Sequence, residues 1–390
     1  MKNKSTLRYD FWDILRAPRL ALSGKYLLAQ ARPLVYAYIT YLALTYLAML
    51  LEGGTIAELW NDHSLFPFVG LGLSHWYAWA IWAVGIIIAA GFYDYGNMTV
   101  AKLALEELKG NVFYPRCQAA AEARSNLRPL WVAGILLVVL IVVLSLIQGL
   151  IGLVVLIPYA GEIIYAVIYA VPFVLWSLFV VFLAFGFVTS VLTLPAIVTA
   201  REKDAFGATF YIYNVIWTQP LRWMSQTAVG LVMAKLGIFV FGYFLMRALQ
   251  LTYFTTSLIS GEKVKSIVST GYGTLAPVQE ILRFFTSLYP GSSIDWLPSA
   301  VRGLEFSLAS QSPTETVASA IIAVTLVVVW IVVISYGVNI ITCSQLLGFI
   351  YVRKCEDGER LGESPTQGDG DPHELLSGSS AEPESDPQNK

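Results

Sequence analysis

The chain has 390 residues, 56% of them hydrophobic and only 13% charged, with a mean hydropathy of +0.63. Soluble domains run at ~45–50% apolar and ~25% charged, so a soluble globular enzyme or binding domain is excluded. The net charge of −2 averages two unlike parts: ten acids against Arg360 and Lys390 from Glu356 onward, and a mildly basic remainder whose bases are scattered over loops, not gathered as nucleic-acid binding requires.

No Asp, Glu, Lys or Arg occurs between Arg128 and Glu162, between Glu162 and Arg201, or between Glu315 and Arg353. Each gap exceeds the ~20 apolar residues that cross a hydrocarbon core as a helix. The expected fold is therefore all-α, a polytopic helical membrane bundle of six transmembrane helices with interfacial amphipathic helices.

The chain opens on a mixed charged and aromatic stretch, not the apolar core of a signal peptide. Phe11, Trp12, Ile14, Leu15, Leu20, Leu22, Tyr26 and Leu27 alternate with Arg16, Arg19, Lys25 and Arg32. This reads as a basic amphipathic segment broken at Pro18, either lying in the headgroup plane or packed on the bundle as a collar. Spans are expected at about 34–51, after Arg32-Pro33, and at 71–92. Between them Glu52, Glu58 and Asp62 face no base. A helix follows over 100–127, broken at Gly110-Asn111 and Pro115, with Leu103, Leu105, Leu108 and Val112 opposite Lys102, Glu106, Glu107 and Lys109.

Lys and Arg in short loops mark the cytoplasmic side. Arg116, Arg124 and Arg128 precede the stretch 130–200, and Arg201, Lys203 and Arg222 follow it, so an even number of crossings lies between. Two spans, 130–150 and 173–198, leave a surplus at 148–171. The Pro158-Tyr159-Ala160-Gly161 turn signal and Pro172 make this a short helical hairpin, re-entrant or lying on the surface. A cytoplasmic amphipathic helix follows over 204–223.

The fifth span, 227–249, holds Lys235, which is placed ~12 Å deep at ~1.5 Å per residue. Intramembrane bases are costly and often functional, though a lysine also snorkels to the phosphates. Gly230, Ala234 and Gly237 form a small-residue stripe for close helix packing. An extracytoplasmic cap is expected over 258–312, with interfacial helices at 278–288 and 294–308. Ser269-Thr270-Gly271-Tyr272-Gly273-Thr274 shares the spacing of a potassium-channel filter. Its flanks, Gly261-Glu262-Lys263-Val264-Lys265 before it and some forty residues before the next span, fit a glycine-rich turn better. The last span, 317–352, completes a membrane domain over 1–355, and an acidic tail over 356–390 cannot bury enough to fold.

Asp94 and Glu162 flank apolar runs and, with Lys235, are the candidate functional residues, able to hold a cation or proton or simply to sit at the interface. His63, His75 and His373 are too scattered for a metal site, and Cys117, Cys343 and Cys355 share no CxxC spacing. With no nucleophile arrangement and no phosphate-binding glycine motif, neither cofactor nor catalysis is expected.

Leu194-Pro195-Ala196-Ile197-Val198, then Asp204-Ala205-Phe206-Gly207-Ala208, and the closing Tyr351-Val352-Arg353-Lys354-Cys355-Glu356-Asp357-Gly358 resemble a broad bacterial group. It includes the membrane domain that accompanies some glycerophosphodiester phosphodiesterases. The resemblance covers about 90–255 and the last span. It implies a bacterial inner membrane protein, while the phosphodiesterase domain with its His and Glu cluster is missing, and Thr209 stands near the group's serine. The expectation is a non-enzymatic protein that organises or assists membrane or envelope processes. It would have both termini in the cytoplasm, the lipid bilayer as its medium and protein partners reached through the acidic tail. The alternative is a small-solute or lipid transporter with Lys235 near its path.

Overall fold

In the computed structural model the described residues are 10–63, 65, 67, 73–200, 205–273 and 312–357. They are helical, with no strand among them. A 3-10 segment (Phe11–Arg16) runs into α1 (Ala17–Ala21), followed by α2 (Gly24–Leu51), α3 (Ile56–His63), α4 (Trp76–Leu108) and α5 (Arg116–Gly152). Next come α6 (Ala160–Ile168), α7 (Val174–Ala200), α8 (Ala205–Thr218), α9 (Pro220–Ser260), α10 (Glu262–Gly273) and α11 (Pro313–Asp357). Six of these, α2, α4, α5, α7, α9 and α11, are long and apolar enough to cross a membrane. The protein is a multi-pass helical membrane protein.

Length carries more information than number. The 33 residues of α4, 41 of α9 and 45 of α11 measure ~50, ~60 and ~67 Å at 1.5 Å per residue, against a hydrocarbon core of ~30 Å. The surplus collects at one end, which carries Lys25, Arg32, Lys102, Lys109, Arg116, Arg124 and Arg128 and is called the basic end below. There the two main cores form. Ile14, Ala17, Tyr26, Leu103, Ile340 and Leu346 are sealed in one, and Met98, Ala123, Val198, Ile212, Phe349 and Val352 fill the other. Toward the opposite end α5 and α7 expose Leu136, Val139, Leu146, Leu150, Leu175 and Leu178, as helices solvated by lipid do. Gln148 Nε2 donates to Ser177 Oγ (2.8 Å), and the Trp176 indole donates to the Leu144 carbonyl (3.1 Å), tying these two arms together.

Several expected boundaries move. Pro33, Pro129 and Pro195 lie inside α2, α5 and α7, so Arg32-Pro33 and Arg128-Pro129 do not start helices. Bundle packing compensates the one missing N–H. The basic amphipathic segment is a collar: Asp13, Ile14, Ala17 and Ala21 are buried, and the Tyr336 hydroxyl of α11 donates to the Pro18 carbonyl. Its break falls at Leu22–Ser23, because Pro18 sits in the first turn of α1, where a missing N–H costs nothing. Between α5 and α7 the chain reverses at Ile157–Tyr159, α6 follows, and a π-turn over Tyr169–Phe173 absorbs Pro172. Gly161 packs on the Val154 carbonyl, where a Cβ would come within 2.2 Å.

Ser269-Thr270-Gly271-Tyr272-Gly273 is the end of α10, neither a turn nor a filter, and Gly271 packs on Ser319 and Ile322 of α11. The helices expected at 278–288 and 294–308, and the acidic tail from 358, lie outside the described residues. At the end opposite the basic one, Glu52 accepts the backbone N–H groups of His75 (2.8 Å) and Ser74 (3.0 Å). The His75 amide contributes most to holding this carboxyl below its ordinary range. This contact latches the end of α2 to the start of α4. Thr55 and Glu58 cap α3 reciprocally.

The small-residue stripe of α9 is where α11 packs. A Cβ on Gly230 would meet Ser344 at 2.3 Å and one on Gly237 would meet Ile340 at 2.4 Å, while Gly337 of α11 admits Ile238. We expect Gly237→Leu to destabilise the bundle by about 1–3 kcal/mol, the usual cost of overpacking, read as a drop in Tm in detergent. Gly134→Ala, at a position with open space around it, serves as the unshifted control.

Candidate functional site

The densest polar chemistry lies at the basic end, and it begins with one base. Lys102 is 8% exposed in the penultimate turns of α4. Its ammonium meets Glu122 of α5 at 2.8 Å and Glu106 of its own helix at 3.4 Å. Glu106 also receives Lys109 at 3.5 Å. The Tyr114 hydroxyl donates to Glu122 (2.6 Å) and the Tyr26 hydroxyl of α2 donates to Glu107. Lys25 donates to the carbonyls of Val112 and Tyr114. One network therefore joins the first turn of α2, the last turns of α4, the connecting loop and the start of α5. The Tyr114 hydroxyl, in that loop, is pushed above its ordinary range by burial and by its bond to Glu122.

Next to it is a neutral layer between α2, α4 and α11. Gln30 Nε2 donates to Asn97 Oδ1 (3.1 Å) and the Thr342 hydroxyl reaches the same oxygen at 3.4 Å. Gly96 makes room for Gln30, since a Cβ there would stand 2.5 Å from Oε1. That oxygen, and both amide atoms of the fully buried Asn339, meet no hydrogen-bond partner. A further polar group joins α9 to α11: Gln345 Nε2 reaches Thr227 Oγ1 at 3.4 Å, and Gln226 Nε2 is buried without a partner. Gln226, Gln345, Thr193 and Trp223 line a cavity of about 20 Å³, which has room for one water.

The three residues singled out from the sequence stand on three different elements. Lys235 is exposed on α9, next to Ala234, which is buried against α11. Asp94 is half-buried on α4 and faces the indole of Trp131 on α5, whose N–H has no partner in hydrogen-bond geometry. Glu162 is exposed in the first turn of α6, beside an open apolar hollow lined by Ile163, Ala166, Val167 and Val171. Among the described residues no three His, Cys, Asp or Glu side chains gather as a metal site would require.

Lys102, expected opposite the apolar face of its helix, is itself enclosed. Around it α4 is buried on all sides from Gly96 to Leu105, because α2, α5, α7 and α11 enclose it. The available signal was the Lys102/Glu106 i,i+4 pair, together with a loop short enough to bring α5 back alongside. Asn97, Gln30 and Asn339 carried no signal beyond being amides in apolar surroundings.

No protein-family model, curated protein or solved structure matches the chain. The site therefore stands on its own geometry, a charged and polar core that locks five helices without enclosing a substrate-sized space in its described parts.

Removing the Lys102 charge leaves Glu106 and Glu122 facing each other. We expect Lys102→Met to cost on the order of 2–3 kcal/mol, less than the ~3–5 of a fully buried pair because Glu122 retains water. Unfolding in mixed micelles would measure it, and Lys102→Met with Glu122→Gln should recover part of the loss.

Proposed function

We propose that this is a non-enzymatic protein of a bacterial inner membrane that organises or assists membrane or envelope processes, with the basic end and both termini in the cytoplasm. The observation that carries this reading is the concentration of packing at the basic end. Extensions of the spans, the N-terminal collar and α8 combine there into one rigid platform, built to present a surface. The orientation rests on charge: the bases named above occupy that end, while Glu52 and Glu58 at the other have no base beside them in their connecting segment, as the positive-inside rule requires. The platform offers Trp12, Val112 and Phe113 to the outside, Phe113 at 95% exposure. Large apolar side chains on a polar rim are the features of a protein-binding surface.

A second reading, small-solute or lipid transport, draws on Lys235. It stands among the exposed Val232, Leu236 and Phe239, so a headgroup sliding along α9 would meet a base on an otherwise apolar face. The two readings diverge in proteoliposomes. We expect lipid scrambling and solute efflux at the rate of protein-free vesicles, with Lys235→Ala unchanged; a flux lost in Lys235→Ala would establish the transport reading instead. Orientation has a separate test. Cys117 and Cys355 are exposed at the basic end and Cys343 is buried. A membrane-impermeant maleimide should label Cys117 and Cys355 in inverted vesicles and leave them untouched in intact spheroplasts; labelling from outside would reverse the assignment.

A further inference from the structure

Several arginines at the basic end have no acidic partner among the described residues, among them Arg32 on α2 and the cluster of Arg116, Arg124 and Arg128 on α5. Arg124 and Arg128 are exposed and one turn apart, and Arg116 is half-exposed at the helix start. The one acid in this stretch of α5, Glu122, is already engaged by Lys102 and Tyr114. The opposite face of the same stretch, Ala119, Ala123 and Leu130, is sealed into the cores that hold Leu346, Phe349, Ile350 and Val352 of α11. The last turn of α11 therefore leaves the molecule at the same end as the arginine-bearing helix. From Glu359 to Asp386 the chain then carries eight acids and a single base, Arg360.

We propose that the acidic segment 359–386 docks on the arginine face of α5 in its own chain. Reach is ample. Tens of residues at ~3.3–3.6 Å each exceed by several-fold the ~18 Å length of the 116–128 stretch, and tethering holds the acids at millimolar effective concentration. Anionic lipid headgroups are the rival occupant, and position argues against them at Arg116. Counting ~20 residues of hydrocarbon crossing from Trp76 brings the boundary near Asp94 and Trp131, so Arg124 stands ~10 Å and Arg116 ~22 Å beyond it. The headgroup layer is ~5–8 Å thick, so lipid phosphate reaches Arg128 and, through the length of its side chain, Arg124, but not Arg116. This contact is independent of which side of the membrane the basic end faces.

The test uses the full chain in phosphatidylcholine nanodiscs, carrying Arg124→Lys and Arg128→Lys so that the charge is kept and a coupling amine is supplied. Zero-length carbodiimide coupling and mass spectrometry should join the two substituted positions to carboxylates of 359–386 within one chain, with yield falling about 5-fold or more as salt screens the contact between 50 and 500 mM. No such coupling at 50 mM salt, or coupling chiefly between isotopically distinct copies, would overturn the proposal. An independent readout keeps Arg124 and Arg128 native. Cys117, exposed on α5 beside Arg116, should be alkylated about 3-fold or more faster once tethered shielding is lost in Glu359→Gln, Glu363→Gln, Asp369→Asn, Asp371→Asn, Glu374→Gln. An unchanged rate counts against docking.

Discussion

A single ammonium, that of Lys102, decides how the basic end is assembled. It is too buried to be satisfied by water, so Glu106 and Glu122 must both be brought to it, and Glu122 arrives only if α5 folds back against α4. Burying an ion is tolerated when the geometry leaves no charge uncompensated, and here Tyr114 and Lys109 take up the remaining capacity of the two carboxylates. Lys25 and Tyr26 then fasten α2 to the same loop and helix end. The network specifies register among three helices whose apolar faces alone would allow them to slide.

That register explains the division of the molecule into two unlike halves. At the basic end side chains meet side chains from five helices, and amides such as Gln30 and Asn97 find one another at depth. Away from it the helices fan out, and lipid supplies most of the contact surface. Only 11–28% of each most apolar window is buried inside the protein. Van der Waals packing of small residues is what remains to hold spans together in lipid, as where Gly85 of α4 admits Leu44 of α2, a Cβ there standing 2.9 Å from it.

The number of spans was readable from the sequence because charge is excluded from hydrocarbon, and the runs around Arg128, Glu162 and Arg353 mark that exclusion directly. The depth of each span was not readable. A charge-free run such as 316–352 is long because α11 first crosses lipid and then enters a protein core, and both environments reject charge alike. Prolines misled for a related reason: Pro33 and Pro129 are breakers only where nothing around the helix can compensate them. Lys102 was hidden because helical periodicity shows which face is polar, not what will later cover it. The amides of Asn97 and Asn339 were hidden because uncharged polar residues scarcely alter hydropathy. The Ser269–Gly273 string looked like a turn through its glycines, but Gly271 serves the approach of α10 to α11.

The unbroken course of α11 has a mechanical consequence. A rod of 45 residues, ~67 Å long with ~24 Å beyond the hydrocarbon boundary near Asn97 and Thr342, is a lever whose membrane arm is set by bilayer thickness. Helices relieve hydrophobic mismatch by tilting. A change of about 10° would sweep the far end of such an arm through roughly 4 Å. Because the cores of the basic end are clamped to that arm, membrane thickness becomes a coordinate of the platform.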